Sequence, residues 1–96
     1  MSQALSSEQI LASLKDLPGW SYEGRALHKT FSFANFREAM SFIIRLSFEA
    51  EALDHHPEIR NIYNRVSLDL TTHDADNQVS EKDVKLANAI EAFSWV

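Results

Sequence analysis

The sequence has no cysteine, and only two prolines and two glycines occur in its 96 residues. Without cysteine the chain cannot form a disulfide framework, a thiolate metal site or a thiol nucleophile. Because glycine and proline are scarce, no linker divides the sequence, and we expect residues 1–96 to form a single domain. Hydrophobic residues make up 45% of the chain, which argues against disorder.

Long basic or apolar runs are also missing. The formal net charge is −5, which argues against direct binding to a nucleic-acid backbone. No apolar run approaches the roughly 20 residues that cross a bilayer. The first residues lack the basic and then apolar pattern of a signal peptide. We therefore expect a soluble, cytoplasmic protein that does not contact membranes.

The hydrophobic periodicity predicts the element order α-β-β-α-β-β-α. Polar capping residues mark three helix starts, at Ser6, Asn35 and Ser80. Alternating apolar residues predict two hairpins, which turn at Glu23-Gly24 and near Asn64. Hairpins of this kind favour an α+β fold, in which a four-stranded antiparallel sheet carries three helices on one face.

The middle helix, predicted for residues 36–54, has an apolar arc too wide for contact with one sheet. One apolar row repeats at alternating steps of four and three: Ala39, Ile43, Leu46, Ala50 and Leu53. A second row runs beside it at steps of four: Phe36, Met40, Ile44 and Phe48. A deeply buried central helix would explain this arc. In so small a domain, however, we favour assembly between subunits through this helix.

A cluster of residues suited to proton transfer lies at the end of this helix, in the stretch EALDHHPE at 51–58. Pro57 disfavours helical backbone at the residue before it, so His55 and His56 are predicted in the frayed last turn. If the helix reaches His55, the four-residue spacing places Glu51 and His55 on one face. Adjacent imidazoles beside carboxylates suit general acid–base chemistry, because histidine exchanges protons near neutral pH.

Two other interpretations of the histidine pair stay open. Cations at helix C-termini are ordinary stabilising features that need no catalytic role. A metal site has suitable ligand types, but neighbouring histidines project about 100° apart on a helix. His73 lies at the end of the last predicted strand, and it would join the pair if the strand end and the helix end converge at one rim. His28 lies within a strand without acidic neighbours and is interpreted as structural.

A pattern of short motifs extends along the chain. E-x-x-x-H-H-P at 51–57 is followed by Tyr63-Asn64, by Thr72-His73 and by S-E-x-D at 80–83. Together with Gly19-Trp20, E-G-R at 23–25 and F-x-F at 31–33, this pattern resembles the pterin-4a-carbinolamine dehydratase family over nearly the whole chain. The segment L-D-H-H-P-E at 53–58 is the specific part of the resemblance.

The resemblance implies a subunit that pairs through sheet edges into dimers and through the central helix into tetramers. It also implies dehydration of a 4a-hydroxytetrahydropterin to the quinonoid dihydropterin, a step that recycles the cofactor of aromatic amino acid hydroxylases. This reaction needs no metal or other cofactor in the chain. The implied catalytic residues are His55, His56 and His73. The residues implied to hold the pterin are Glu51, Asp54, Pro57, Thr71, Thr72 and Asp74.

The sequence departs from the family pattern at two places. Ile59 stands where relatives usually carry an aromatic residue, and D-A-D-N-Q-V-S at 74–80 replaces a shorter Gly-Leu-(Ser/Thr) ending. Ile59 is expected to make one wall of the pocket more open or differently shaped, and the altered loop is expected to affect the placement of Asp74 and the contacts of the loop with substrate.

Two other functions stay open beside the enzyme. Animal relatives serve as dimerisation cofactors of a homeodomain transcription factor, and a role in other pterin or molybdopterin metabolism is a further possibility. The intact set of three histidines favours the enzyme.

Overall fold

The computed structural model describes residues 2–94 and confirms the predicted α+β fold and element order. The helices are α1 (Ser7–Leu14), α2 (Phe36–Leu53) and α3 (Glu81–Phe93). The strands are β1 (Ser21–Glu23), β2 (Ala26–Ser32), β3 (Glu58–Ile62) and β4 (Arg65–Leu70), and a short 3-10 turn (His73–Ala75) follows β4. All strand pairs are antiparallel in the order β1-β2-β4-β3, so β1 and β3 form the sheet edges.

Local sequence signals explain where the elements begin and turn. Ser6 and Ser80 each form a complete capping box, and the Asn35 side chain accepts a hydrogen bond at the start of α2. In the first hairpin Gly24 and Arg25 both have positive φ, of 56° and 68°. This backbone geometry matches the twist of a two-residue hairpin, and glycine adopts it without steric cost.

The core lies between the three helices and one face of the sheet. In β4 the side chains of Val66, Leu68 and Leu70 are fully buried, whereas Ser67 and Asp69 lie on the opposite, helix-free face. The alternation follows from the two-residue period of a strand, and it confirms the predicted orientation of this strand. The sheet therefore presents one face to the core and one polar face to the solvent.

Helix α2 is buried on one side only. Ala39, Phe42, Leu46 and Ala50 face the core and are at most 3% exposed. The outer row is open to solvent in the single chain, with Phe48 68% exposed, and it includes Phe36 and Ile44. No helix within residues 2–94 is long and apolar enough to cross a membrane.

Phe42 is the central aromatic ring of this core. Its ring centroid lies 4.7 Å from that of Phe31, 5.1 Å from Phe33 and 5.5 Å from Phe93. We predict that Phe42→Ala lowers the free energy of unfolding by about 3–5 kcal/mol, because the substitution leaves a cavity among these rings. Leu11→Ala, at an exposed position of α1, is the control and should change it by less than about 0.5 kcal/mol. Urea unfolding measures both, and equal losses would contradict this packing.

Candidate active site

Helix α2 ends one residue earlier than the sequence suggested, and this changes the position of the histidine pair. Its last helical residue is Leu53, and Asp54 adopts a left-handed conformation with φ 51° and ψ 45°. The backbone N–H of His55 then closes the helix by donating to the carbonyl of Ala50 at 3.0 Å. Aspartate tolerates this conformation better than most residues. His55 and His56 therefore lie beyond the last turn, not in it.

The expected contact between Glu51 and His55 does not form, because the helix does not reach His55. The chain reverses at Asp54 and brings His56 back over the last helical turn. There Nε2 of His56 donates to Oε1 of Glu51 at 2.6 Å, and both side chains are exposed to solvent. Both side chains are therefore in contact with water.

His55 points in the opposite direction, into the protein. Its Nε2 lies 2.6 Å from Oδ1 of Asp83, and both residues are buried. Oδ2 of Asp83 accepts two further hydrogen bonds, from Oγ1 of Thr72 at 2.7 Å and from the backbone N–H of Ser80 at 2.9 Å. A buried carboxylate is stable only when such donors compensate it. Within residues 2–94 no buried side-chain nitrogen or oxygen lacks a partner.

Asp83 was interpreted from the sequence only as the capping partner of Ser80. The structure assigns it both tasks at once, since one carboxylate oxygen caps α3 and the other holds His55. The sequence signal for this second task was its place in the S-E-x-D motif. The pairing itself was missed because 28 positions separate Asp83 from His55.

His73 lies in the short turn after β4, on the surface. Its Nδ1 is 3.4 Å from Oδ1 of Asn77, a long hydrogen bond. The following loop folds back so that the N–H of Thr72 donates to the carbonyl of Gln78 at 2.9 Å. Asp76 and Asn77 both have positive φ, of 61° and 56°. These two residues can make the turn without glycine, because Asp and Asn are the side chains that best tolerate this backbone.

The three histidines meet at one rim of the domain. A shallow cleft of about 290 Å³ is lined by Asp54, His55, His56, Thr71, Thr72, His73, Asp74 and Lys82. Two of the residues expected to hold a substrate lie outside this lining. Glu51 contacts the cleft only through His56, and Pro57 borders a neighbouring depression with Glu58 and Asp69. Thr72 lines the cleft, but its hydroxyl donates to Asp83, so its role there is to support His55.

Lys82 is a cleft residue that the sequence reasoning missed. It follows Ser80 by two positions, so the first turn of α3 carries its ammonium group to the rim. The S-E-x-D motif is the signal that predicts its place, since the variable position of that motif is residue 82. Lys82 is the only Lys or Arg in the cleft lining, and among residues 2–94 it forms no ion pair with a carboxylate.

Each of the three cleft histidines uses one ring nitrogen and leaves the other free. Carboxylate and amide oxygens accept hydrogen bonds, so the engaged nitrogens, Nε2 of His55 and His56 and Nδ1 of His73, carry the hydrogen. In a neutral ring the second nitrogen is then an acceptor. Among residues 2–94 it has no protein partner. Such an arrangement can take up a proton and return it. No group of three or more His, Asp and Glu side chains in this part of the chain is arranged to hold a metal ion.

His28 does not lie near the cleft, and its interpretation needs correction. Its Nδ1 is 2.8 Å from Oδ1 of Asp69, on the helix-free face of the sheet. The expectation that it has no acidic neighbour was wrong. Antiparallel pairing of β2 with β4 places His28 directly opposite Asp69, although 41 positions separate them in the sequence.

The fold and the cleft together define the class of protein: a small α+β domain with carboxylate-paired imidazoles at one rim, equipped for acid–base chemistry. Comparison with known proteins gives the family. The model of the family described as "Pterin 4 alpha carbinolamine dehydratase" matches residues 3–93. The chain belongs to this family, whose named members are hydro-lyases.

Individual relatives agree with this assignment. A protein of Opitutus terrae, named "Putative pterin-4-alpha-carbinolamine dehydratase", is 52% identical over 96 residues, which cover 100% of this chain and 99% of the relative. A protein of the same name from Christiangramia forsetii is 48% identical over 91 residues, covering 95% and 93% of the two chains. The crystal structure of a "transcriptional coactivator/pterin dehydratase" from Brucella melitensis superposes with a TM-score of 0.88 at 39% identity, covering 94% of this chain and 97% of that one.

Asp74, one of the residues that line the cleft, accepts a hydrogen bond from Ser2 near the start of the chain. Hydrogen bonds from the Ser2 side chain and from its backbone N–H lower the pKa of the Asp74 carboxyl, and Lys82 adds a smaller effect in the same direction. A lowered carboxyl pKa stabilises the folded state at neutral pH. That contribution is lost as the pH falls through the lowered pKa, below the ordinary range of aspartate.

We predict that Ser2→Ala raises the pKa of Asp74 towards its ordinary value, because the larger of the two Ser2 contributions is removed. Titration of the Asp74 side-chain carbonyl carbon by NMR measures this change. Ser47→Ala, which removes a distant hydroxyl on α2, is the control and should leave the Asp74 titration unchanged. An identical midpoint in wild type and Ser2→Ala would show that Ser2 does not hold this carboxylate.

Proposed function

We propose that this protein dehydrates a 4a-hydroxytetrahydropterin to the quinonoid dihydropterin by histidine acid–base catalysis. The observation that carries the proposal is the convergence of His55, His56 and His73 on one cleft, each with a free ring nitrogen. Membership in the pterin 4 alpha carbinolamine dehydratase family supports the choice of substrate.

The reaction requires two proton transfers. One proton is delivered to the hydroxyl oxygen on C4a, the C4a–O bond breaks, and water leaves with the bonding pair. A second proton is removed from the adjacent ring nitrogen N5, whose electron pair then forms the C4a=N5 double bond. Imidazoles suit both transfers, because the charged ring can donate a proton and the neutral ring can accept one.

The different surroundings of the histidines support different roles for them in the two proton transfers. His55 takes the N5 proton at its Nδ1, because the buried carboxylate of Asp83 holds the ring in the matching tautomer and stabilises the imidazolium that forms. The exposed imidazoles of His56 and His73 deliver the proton to the leaving hydroxyl and then take up a new proton from water. Asp83 is a positioning residue in this scheme, since it contacts His55 and not the substrate.

Polar groups around the histidines support binding of a pterin ring. The ring's amino group and amide N–H are donors, and the carboxylates of Asp54 and Asp74, which both line the cleft, are suitable acceptors. Thr71, also in the lining, offers a hydroxyl. Glu51 acts through His56, and Pro57 stiffens the segment that carries both histidines. Lys82 offers an ammonium group that could donate to a carbonyl oxygen of the ring.

The reaction product supports a role in recycling. Quinonoid dihydropterin is one two-electron reduction away from the tetrahydropterin that hydroxylases use as a cofactor. Removing water from the carbinolamine therefore returns the pterin to a form that a reductase can accept. We assign the protein to this step of tetrahydropterin recycling.

The cleft of a single chain is open, and this supports a working assembly of several subunits. Its volume of about 290 Å³ is at the lower end of the range for small-molecule sites, which usually enclose most of the ligand. Phe36, Ile44 and Phe48 expose a continuous apolar row along α2, and Ile62 and Tyr63 are exposed at the end of the β3 edge strand. Association through these surfaces, into a homodimer or homotetramer, would remove the apolar row from water.

The dehydration is tested by generating 4a-hydroxytetrahydropterin and following its decay spectroscopically. We predict that His55→Ala, His56→Ala and His73→Ala each slow the enzymatic decay by about 10²–10⁴-fold. Asp83→Asn should lower kcat more than it changes KM and should shift the pH profile, because the tautomer of His55 is no longer fixed. Asp16→Asn, an exposed carboxylate after α1, is the matched control and should retain full activity.

Two outcomes of this assay would contradict the proposal. Decay at the buffer rate in the presence of wild-type protein would exclude the reaction itself. Loss of activity in a chelator would point to a metal instead of unassisted imidazoles, whereas we expect full activity there.

The assembly is tested by sedimentation of serially diluted protein. We predict an oligomer at micromolar concentration that Phe48→Asp converts to monomer, because the substitution places a charge within the apolar row. Leu11→Asp changes an equally exposed apolar side chain on α1 and should leave the oligomer intact. Wild-type protein that sediments as a monomer at micromolar concentration would contradict the assembly.

A further inference from the structure

The helix-free face of the sheet carries a second polar depression that the dehydration does not use. It is a groove of about 310 Å³ lined by His28, Thr30, Arg60, Ile62, Arg65 and Ser67. These side chains come from β2, β3 and β4, and none of them lines the histidine cleft. The groove is therefore a separate feature, and the inference drawn from it does not depend on the proposed function.

The floor of the groove is formed by two hydroxyl groups. Thr30 and Ser67 lie opposite each other in the register of β2 and β4, and their Oγ atoms are 3.0 Å apart. One of the two hydroxyl hydrogens bridges them. The other is available. If it belongs to Thr30, its only protein acceptor among residues 2–94 is Nε2 of His28, at a long 3.4 Å, and if it belongs to Ser67, it has none in that part of the chain. The floor can thus donate to a bound group.

The walls carry more positive than negative charge. Arg60 on β3 and Arg65 on β4 both border the groove. Asp69 contacts two of the lining residues, but its oxygens are engaged by Nδ1 of His28 at 2.8 Å and by the Arg60 guanidinium at 3.4 Å. The Arg65 guanidinium has no carboxylate partner within residues 2–94. The groove is thus locally cationic, although the whole chain has a net charge of −5.

We propose that this groove binds an oxyanion of the phosphate type, either free phosphate or the phosphate group of a small ester. Guanidinium groups recognise phosphate through paired, charge-assisted hydrogen bonds, and hydroxyl donors complete the shell. A tetrahedral oxyanion has enough oxygens to accept from Arg65, from the second edge of Arg60 and from the hydroxyl floor together. The exposed Ile62 at the rim offers an apolar contact to the organic part of an ester.

The test is an NMR titration of ¹⁵N-labelled protein with inorganic phosphate, with methyl phosphate, and with sodium chloride at matched ionic strength. We expect saturable shifts of the backbone amides of Thr30, Arg60 and Ser67 with one or both phosphates and none with chloride. Tighter binding of methyl phosphate identifies an ester as the natural source, and tighter binding of inorganic phosphate identifies the free ion.

Two variants and one control keep this test specific. Arg65→Ala should weaken phosphate binding by about tenfold or more, the loss expected for a charge-assisted contact. Thr30→Val keeps the shape of the strand residue, and it should weaken binding by a smaller factor because it removes one donor. Arg37→Ala removes an exposed arginine at the start of α2, far from the groove, and should leave the affinity unchanged.

The same spectra report whether each variant is folded, so a loss of binding cannot be mistaken for unfolding. Three results would overturn the proposal: equal shifts with chloride and phosphate, shifts confined to the cleft around Lys82, or equal weakening by Arg65→Ala and Arg37→Ala. Each would mean that the groove is a solvated sheet face with no anion site.

Discussion

The buried carboxylate of Asp83 is the interaction on which the rest of the site depends. A charged group with no exposed surface must be compensated by hydrogen-bond donors, and Asp83 takes them from three parts of the fold. His55 comes from the segment after α2, Thr72 from the end of β4, and Ser80 from the start of α3. Removing one donor from such a group commonly costs about 3–5 kcal/mol, so these three chain segments are held together at one rim.

The arrangement separates the tasks of the histidines. His55 is held in place because its partner, Asp83, is buried and fixed by further hydrogen bonds. The pair of His56 and Glu51, in contrast, lies in solvent. In the proposed dehydration, a base held in position takes one proton at a defined place, and imidazoles in contact with water exchange the other with the medium. The left-handed Asp54 makes this possible, because it turns consecutive side chains to opposite sides.

The features that short sequence motifs encode were predicted well. Capping boxes, the Gly24 turn and the alternation in β4 involve neighbours within a few residues, and the structure confirms them. The order of elements and the α+β class followed from these local signals. The resemblance of the H-H-P segment to a known family was likewise confirmed by the family model over residues 3–93.

What the sequence did not reveal are contacts between distant positions. The helix end at Leu53 depends on a single left-handed residue, and the spacing of side chains does not predict it. Asp83 reaches His55 across 28 positions, and Asp69 reaches His28 across 41, so neither pairing could be predicted from neighbouring residues. The loop after His73 lacks glycine, yet Asp76 and Asn77 adopt the positive-φ backbone conformation that glycine favours.

The tautomer of the His55 ring shows whether Asp83 prepares this histidine to act as a base. At neutral pH, ¹⁵N-detected NMR of the imidazole distinguishes which nitrogen carries the hydrogen. The hydrogen bond to Asp83 predicts that Nε2 is protonated and Nδ1 is not, and that Asp83→Asn abolishes this preference while the backbone spectrum stays that of a folded protein. A proton on Nδ1 in the wild type, or a tautomer unaffected by Asp83→Asn, would contradict the claim that Asp83 prepares His55 to act as the base.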